Sequence, residues 1–294
     1  SRIKHPMAQA TLSHTNHRRQ QNLAVIFRHV VINFFMVIIL LPIAWVLLLS
    51  IKSLPDAYSG KLWPENFDFT HYAYVLDKIE TLPTNLFNSV YVTLATVAVT
   101  SICAILAGYA LVHLELRGRA VVILLLTATL YFPTRVVSLI SIYYIQDAVN
   151  LLDTTTGLIL PYVTLNLAIS ILIMRGIFEQ IPHELVDAAK VDGCTAWQTL
   201  VRVMLPLIKN GLVVIVVVNF VSAWGEYLLA ATLTNSQDVR TLPVVLASAH
   251  GGLGAWAWPR IAAVYIIAIT PGIIVFAFLQ KLYYKGLTEG ALKF

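Results

Sequence analysis

Residues 29–51 read HVVINFFMVIILLPIAWVLLLSI, an apolar run that contains no Asp, Glu, Lys or Arg. A helix needs about 20 mostly apolar residues to cross the hydrocarbon core of a bilayer, and this run is long enough. It is longer than the apolar core of a signal peptide, about 7–15 residues, and it ends at Lys52 without a small-residue cleavage site. The stretch therefore predicts a membrane-spanning helix that is kept in the chain.

The composition of the whole chain agrees with this opening run. Of the 294 residues, 58% are apolar and 12% are charged, and the mean hydropathy is +0.77. Soluble domains carry about 25% charged residues. The two cysteines, Cys103 and Cys194, form no disulfide framework and no metal-ligand spacing. These values exclude a soluble cytosolic enzyme, a disordered chain and a secreted disulfide-rich scaffold, so the chain is predicted to lie in a lipid bilayer.

Six runs are long and apolar enough to span a bilayer, namely 29–51, 86–112, 120–146, 157–178, 206–233 and 259–281. Of the 20 Lys and Arg residues, 14 lie in the two terminal tails, the 113–119 loop and the 175–209 segment, and 5 lie on the other side. Basic residues mark the cytoplasmic side. The sequence therefore predicts an all-α integral membrane fold with six transmembrane helices and both termini cytoplasmic.

This topology divides the chain into four parts. The predicted parts are a cytoplasmic N-terminal tail (1–28), a first span with an extracytoplasmic loop (29–85), a five-helix core (86–281) and a cytoplasmic C-terminal tail (282–294). The core contains a cytoplasmic loop, 179–205, which is longer and more ordered in its pattern than a simple connector.

That cytoplasmic loop has the start and stop signals of two short helices. Pro182 suits a first helical turn, and Glu184 lies where a helix dipole favours an acid. Gly193 is placed to end the helix in the left-handed conformation. Thr195 and Gln198 have the spacing of a capping box, which predicts a second helix that continues to the membrane surface.

The first of these helices, about 182–192, is predicted to be a docking element for another protein. Two adjacent alanines, Ala188 and Ala189, give it a face that a partner can approach closely. The alternative is an interfacial helix that lies on lipid headgroups. Its charges disfavour that alternative, because three acids, Glu184, Asp187 and Asp192, stand against the single Lys190 and would face an anionic leaflet.

Two motifs resemble a known family. The first motif consists of Asp187-Ala188-Ala189, three residues, Gly193, nine residues, and then Val203, Met204 and Leu205-Pro206. It resembles the Glu-Ala-Ala loop of ABC importer permeases, with Asp for Glu and Val for Ile. Residues 286–293, Gly-Leu-Thr-Glu-Gly-Ala-Leu-Lys, resemble the tail of the carbohydrate-uptake branch, the MalG-like permeases. The long, aromatic first outer loop is similar to those of systems for maltodextrin or alginate oligosaccharides.

The resemblance implies a type I ABC importer permease fold and a set of partners. These are a second homologous permease subunit, a dimer of cytoplasmic ATPase subunits and an extracytoplasmic solute-binding protein, all at a bacterial cytoplasmic (inner) membrane, with no nucleic acid. The chain lacks the Gly-x-x-x-x-Gly-Lys-Ser/Thr loop, so ATP and Mg would be bound by the ATPase and no cofactor, metal or catalytic residue is expected here.

The resemblance also assigns residues to these contacts. The expected ATPase-docking residues are Glu184, Asp187, Ala188, Ala189, Asp192 and Gly193. The expected tail contacts with the ATPase are Gly286, Leu287, Thr288 and Gly290, with a frayed basic tail as the alternative. Gly251, Gly252 and Gly254 are expected to let a loop bend into the binding protein, with a plain flexible connector as the alternative.

Two charged residues, Arg135 and Glu226, lie inside predicted spans, where an ionised group is costly. We expect them to face the bundle or the translocation path, either as an ion pair or in contact with cargo, together with Asn219 and Trp224. Two alternatives to a carbohydrate permease remain open. An ABC permease for a non-sugar solute is the closer one, while a secondary transporter would use such charges but would leave the docking motif unexplained.

Overall fold

The computed structural model describes the backbone of residues 7–131, 134–251 and 257–291, without the side chains of 7–24, 134–135, 210, 249–251, 279 and 281–291. In these ranges the regular structure is helical, apart from one isolated antiparallel bridge between Lys52 and Phe67. The helices are α1 (Met7–Ser50), α2 (Leu54–Tyr58), α3 (Thr70–Lys78), α4 (Leu82–His113), α5 (Arg119–Tyr131), α6 (Thr134–Val137), α7 (Leu139–Ala148), a 3-10 turn (Thr156–Leu158), α8 (Ile159–Phe178), α9 (His183–Val191), α10 (Ala196–Gln198), a π-helical turn (Thr199–Met204), α11 (Leu205–Trp224), α12 (Leu228–Leu233), α13 (Leu242–Gly251) and α14 (Trp258–Ala291).

Four of the six predicted spans are unbroken apolar helices. They are Val25–Ser50, Leu82–His113, Thr156–Phe178 and Trp258–Phe278, which match the first, second, fourth and sixth predicted runs. The last helix continues well beyond its apolar part. It runs to Ala291 and includes most of the predicted C-terminal tail. The chain is therefore a helical, multi-pass membrane protein.

The third predicted span, 120–146, is not one continuous helix. It is divided into α5, α6 and α7, and Phe132 and Pro133 lie outside the described residues. With 13 residues, α5 is about 20 Å long and does not cross a hydrocarbon core of about 30 Å alone. Within the described residues, the interruption of the helix lies at Ser138, between α6 and α7.

The fifth predicted span, 206–233, is also not one straight, continuous helix. Its first part continues the helix from α10 through the π-helical turn, and the segments Ala196–Lys209 and Gly211–Trp224 meet at a bend of 74°. The helix then ends at Trp224, and α12 begins a separate short helix at Leu228. A π-helical turn and a proline near the start of α11 are the usual causes of such a deviation.

The centre of the bundle is formed by α4, α8 and α11. At Gly108 of α4 an added Cβ atom would lie 2.9 Å from the Cβ atom of Met174 in α8, so only glycine permits this close approach. Between α8 and α11 a buried polar network adds to the apolar packing. Asn219 Nδ2 donates to Ser170 Oγ at 2.8 Å, and Ser222 Oγ donates to Asn166 Oδ1 at 2.6 Å.

Candidate docking site

The helix α9 has the boundaries that its sequence predicted, within a residue. Glu184 lies in its first turn and Lys190 in its last turn, so each charge interacts favourably with the helix dipole. Gly193 has φ of +78°, which confirms the predicted left-handed end. Two backbone hydrogen bonds close the turn, from Gly193 N to Lys190 O at 3.0 Å and from Cys194 N to Ala189 O at 2.9 Å. This is a Schellman motif, which requires a residue that tolerates positive φ.

The predicted capping box follows directly after this turn. Thr195 Oγ1 accepts a hydrogen bond from Gln198 N at 3.3 Å, and Gln198 Oε1 accepts one from Thr195 N at 2.9 Å. The box starts α10, which continues through the π-helical turn into α11. The turn after α9 is therefore defined on both sides by local hydrogen bonds, and α9 is connected to α11 without a flexible linker.

The two faces of α9 differ in chemistry. Val186 and Ala189 are only 3% and 5% exposed and point toward the bundle. Val186 belongs to a buried apolar cluster that includes Phe178 of α8 and Met204. The predicted docking residues on the opposite face are all exposed: Glu184, Asp187, Ala188, Asp192 and Gly193.

One predicted docking residue needs a correction. Ala189 was expected to touch a partner, but its methyl group is already buried within this chain. The period of the helix explains the difference, because Val186 and Ala189 are three residues apart and share one face, while Ala188 is turned away by about 100°. Ala189 therefore serves to attach the helix to the bundle.

Aromatic rings attach α9 to the membrane helices, and no motif in the sequence predicted these contacts. The ring centroids of His113, at the end of α4, and His183, at the start of α9, are 5.3 Å apart. Phe178 of α8 lies edge-on to His113 at 6.0 Å, and Tyr109 lies 5.3 Å from His113. A short-range sequence pattern cannot pair residues that are 70 positions apart. Tyr109, one helical turn before His113, is a local signal that the ring of His113 is packed.

A cavity of about 340 Å³ opens beside these rings. It lies between α9 and the segment that joins α4 to α5. Its charged or polar lining residues are His113, Glu115, Arg119, His183, Asp187 and Lys190. Lys190 Nζ and Asp187 Oδ1 form an exposed ion pair at 3.2 Å, and Arg119 pairs with Glu179 at 3.3 Å.

Three of the predicted path residues, Asn219, Trp224 and Glu226, have described side chains, and each has different neighbours. Glu226 is buried, and its carboxylate accepts hydrogen bonds from Leu229 N at 3.1 Å and Ala230 N at 3.2 Å, so it caps the start of α12. The side chain of Arg135 lies outside the described residues, and the expected pairing of Arg135 with Glu226 stays a prediction.

The other two predicted path residues, Asn219 and Trp224, differ from each other. Asn219 is fully buried, and its side chain donates a hydrogen bond to Ser170 within the bundle. Trp224 stacks on Phe220 at 5.6 Å and lines an apolar groove of about 460 Å³ between α11 and α14.

At the opposite end of the bundle from α9, side chains hold the loop 234–241 by its backbone. Asn85 Nδ2 donates to Gln237 O at 2.7 Å and to Arg240 O at 2.9 Å. Asn88 Nδ2 donates to Asp238 O at 2.7 Å. Asp153 accepts from the backbone N–H groups of Asn235 and Ser236 at 2.8 and 2.9 Å. We call this set of bonds the loop clamp.

The remaining predicted sites are described only in part. Gly251 ends α13, while Gly252 and Gly254 lie outside the described residues. Gly286, Leu287, Thr288 and Gly290 belong to α14, without described side chains. Among the described side chains, no group of three or more His, Cys, Asp or Glu residues could hold a metal ion.

Known proteins share this architecture. Residues 100–289 match the family model described as "Binding-protein-dependent transport system inner membrane component". The permease protein SmoH of a sulfoquinovosyl glycerol transport system from Agrobacterium fabrum is 36% identical over 86% of this chain and 89% of its own length. The trehalose permease protein SugB from Mycobacterium tuberculosis is 34% identical over 86% of this chain and 92% of its own length.

A solved structure agrees with these relatives. A chain of a bacterial ABC transporter involved in the import of the acidic polysaccharide alginate superposes with a TM-score of 0.78 and 26% identity, covering 90% of this chain and 97% of that one. The family match covers more than half of the present chain and contains the whole docking loop together with α11 and most of α14. The chain therefore belongs to the family of binding-protein-dependent transport system inner membrane components, and it is a transport permease subunit.

Proposed function

We propose that this chain is a permease subunit of an ATP-driven, binding-protein-dependent importer of carbohydrate, with an oligosaccharide such as a maltodextrin or an alginate fragment as cargo. The observation that carries the proposal is the helix α9, which is attached to the bundle by its inner face and exposed along its outer face. The relatives named above, which serve sulfoquinovosyl glycerol, trehalose and alginate systems, support the carbohydrate class.

The proposed topology has six spans and both termini in the cytoplasm of a bacterium, with the chain in the cytoplasmic (inner) membrane. The surplus of Lys and Arg on the α9 side supports this orientation. The third span would be assembled from the short helices α5, α6 and α7. A second homologous permease subunit would pair with the chain, so that each subunit forms half of the translocation path.

The energy would come from a dimer of ATPase subunits that docks on α9. Glu184, Asp187, Ala188, Asp192 and Gly193 would form the contact, since they are exposed side by side on the outer face and at its end. ATP and Mg would be bound by that ATPase, because the chain itself has no phosphate-binding loop. The end of α14, with Gly286, Leu287, Thr288 and Gly290, would reach the ATPase as well.

On the outer side, an extracytoplasmic solute-binding protein would deliver the cargo. The segment with Gly251, Gly252 and Gly254 would enter that protein. The loop clamp supports this assignment, because it fixes the loop 234–241 from which α13 leads to the glycine-rich segment. Inside the membrane, Arg135, Asn219, Trp224 and Glu226 stay our candidates for the path.

The proposal is tested by reconstituting the chain in liposomes with its candidate permease and ATPase partners. ATP hydrolysis is measured with and without the binding protein, loaded with candidate oligosaccharides. We expect hydrolysis to rise only with a loaded binding protein, and the sugar that stimulates most identifies the cargo. Stimulation by a non-sugar solute alone would overturn the carbohydrate assignment, and transport without the ATPase would favour a secondary transporter.

A further inference from the structure

The segment 53–69, which follows the first span, is folded and uses its buried charges internally. Asp56 is buried, and its carboxylate accepts a hydrogen bond from the backbone N–H group of Glu65 at 3.0 Å. Lys52 is only 1% exposed, and its ammonium group donates to the backbone carbonyl of Lys61. Because these bonds join the two halves of the segment, the side chains on its surface are presented by a defined backbone and not by a loose connector.

Hydrogen bonds also hold this segment against the end of α1. Asp68 N donates to Ile51 O at 2.8 Å, one residue beyond the helix. Phe67 pairs with Lys52 in the isolated antiparallel bridge. Backbones paired in this way are about 5 Å apart. Phe67 and its neighbours therefore lie beside the point where the first span ends.

The length of α1 places that point in the headgroup layer of the bilayer. Its apolar part, Val25–Ser50, has 26 residues, which corresponds to about 39 Å at 1.5 Å per residue. The hydrocarbon core is about 30 Å thick, and the headgroup regions extend this to about 40–45 Å. A tilt of about 20° shortens the rise of the helix by only about 2 Å. The end of α1, with the segment bonded to it, therefore lies among the headgroups, a few ångströms from the acyl chains.

The side chains that the segment exposes at this depth are large and apolar. We call four of them, each more than half exposed, the outer apolar set: Leu62 (75%), Trp63 (66%), Phe67 (56%) and Phe69 (63%). Beside them, Lys61 and Glu65 form an exposed ion pair, so the two charges offset each other. Aromatic side chains are enriched at both membrane–water interfaces. The outer apolar set therefore has the chemistry that suits its depth.

Packing within the chain does little to fix the depth of the first span. Between Val25 and Trp45, every side chain of α1 except Val31 is exposed. A helix of this kind is positioned in a bilayer by residues at its ends that bind the interface. The segment 53–69 is bonded to one of these ends, so any contact that it makes with lipid acts directly on α1.

We propose that the outer apolar set is an interfacial anchor, which enters the boundary between headgroups and acyl chains in the leaflet opposite to the α9 end. Its partner is the lipid surface, and its role is to hold α1 at a fixed depth. Lipid is the partner because the bonds to Ile51 and Lys52 keep the set beside the end of a membrane span. The anchor depends neither on the cargo nor on the docking of an ATPase.

The test measures depth with nitroxide labels on the assembled importer in liposomes. With Cys103 and Cys194 replaced by serine, one cysteine is introduced as L62C or W63C, at positions outside the helices, and is labelled. Power-saturation EPR then compares collisions with O2, which concentrates among acyl chains, and with a water-soluble nickel chelate. We expect O2 to relax both labels several times more than the chelate. D238C, at an exposed position of the loop 234–241, is the control and should show the reverse.

Three results would overturn the anchor. Labels relaxed mainly by the nickel chelate would place the outer apolar set in water. Labels protected from both reagents would show that a protein, such as a second permease subunit, covers the set. Protection that arises only after the solute-binding protein is added would make the set a docking surface for that protein. If the importer does not assemble, the proposed function fails instead, and the same labels on the full chain alone in liposomes still test the anchor.

Discussion

The docking helix α9 and the loop 234–241 lie at opposite ends of the bundle and are attached in different ways. The helix is attached by apolar side chains and rings, with Val186 at the centre and its charges outside. The loop is attached by directional hydrogen bonds from Asn85, Asn88 and Asp153 to its backbone. Apolar contacts tolerate small shifts of a rigid helix, whereas hydrogen bonds to a backbone fix one conformation. The comparison indicates a movable helix at one end and a fixed loop at the other.

The largest effect is expected from a charge at the centre of the apolar attachment. V186D places a carboxylate where the side chain is 3% exposed, and a buried unpaired charge costs several kcal/mol. We expect α9 to detach, the melting temperature of the purified complex to fall, and coupled ATP hydrolysis to be lost. V191D is the matched control, because Val191 of the same helix is 88% exposed and its change should leave the melting temperature unaltered. Equal melting temperatures would contradict the inner-face assignment.

The turn after α9 should be the next most sensitive position. A side chain in the left-handed conformation costs about 1–2 kcal/mol, so G193V should displace the end of α9 and reduce stimulated ATP hydrolysis. G176A is the control, since Gly176 lies within α8 with open space around it. Full stimulation in G193V would show that the geometry of the turn is not needed for docking.

The loop clamp can be weakened without touching α9. Replacing Asn85 and Asn88 with alanine leaves the carbonyl groups of the loop without donors, at about 1–3 kcal/mol for each unsatisfied group. Hydrogen exchange should then accelerate at the backbone amides of residues 235–242, and protection of α9 should stay as in the wild type. N33A serves as control, because Asn33 donates only within α1. Faster exchange in α9 would show that the two ends are not independent.

The smallest effect is a pH dependence of the same loop. The pKa of Asp153 is held below its usual value of 3.8 by hydrogen bonds, of which the one from the Ser236 side chain has the largest effect. The folded loop therefore favours the ionised carboxylate, and its contribution is complete above about pH 3.8 and is lost as the pH falls below that value. Exchange protection at residues 235 and 236, corrected for intrinsic rates, should be constant down to about pH 4 and then decline. In D153N no such decline should remain.

Local signals in the sequence predicted α9 and its turn well. Gly193, Thr195 and Gln198 act on neighbours within a few residues, and each is confirmed in the structure. The apolar runs predicted four spans correctly, because each run is a continuous stretch of neighbouring residues. The third predicted span is instead divided into α5, α6 and α7, although its apolar run is long enough to cross a bilayer.

The parts that the sequence did not predict depend on distant residues. Asn85 meets Gln237, and His113 meets His183, only because α4 packs between other helices. The inward position of Ala189 likewise depends on which face of α9 the bundle covers. Composition and spacing describe a helix and its ends, but they do not determine which of its faces is free for a partner.

Cross-linking from two adjacent positions tests the central claim most directly. With Cys103 and Cys194 replaced by serine, a single cysteine is placed at Ala188 or at Ala189, and the assembled complex is treated with a short thiol cross-linker. The account predicts a cross-link between the ATPase and A188C, which is exposed, and little or none with A189C, which faces the bundle. Failure of A188C to cross-link, or equal yields from both positions, would contradict docking on the outer face of α9.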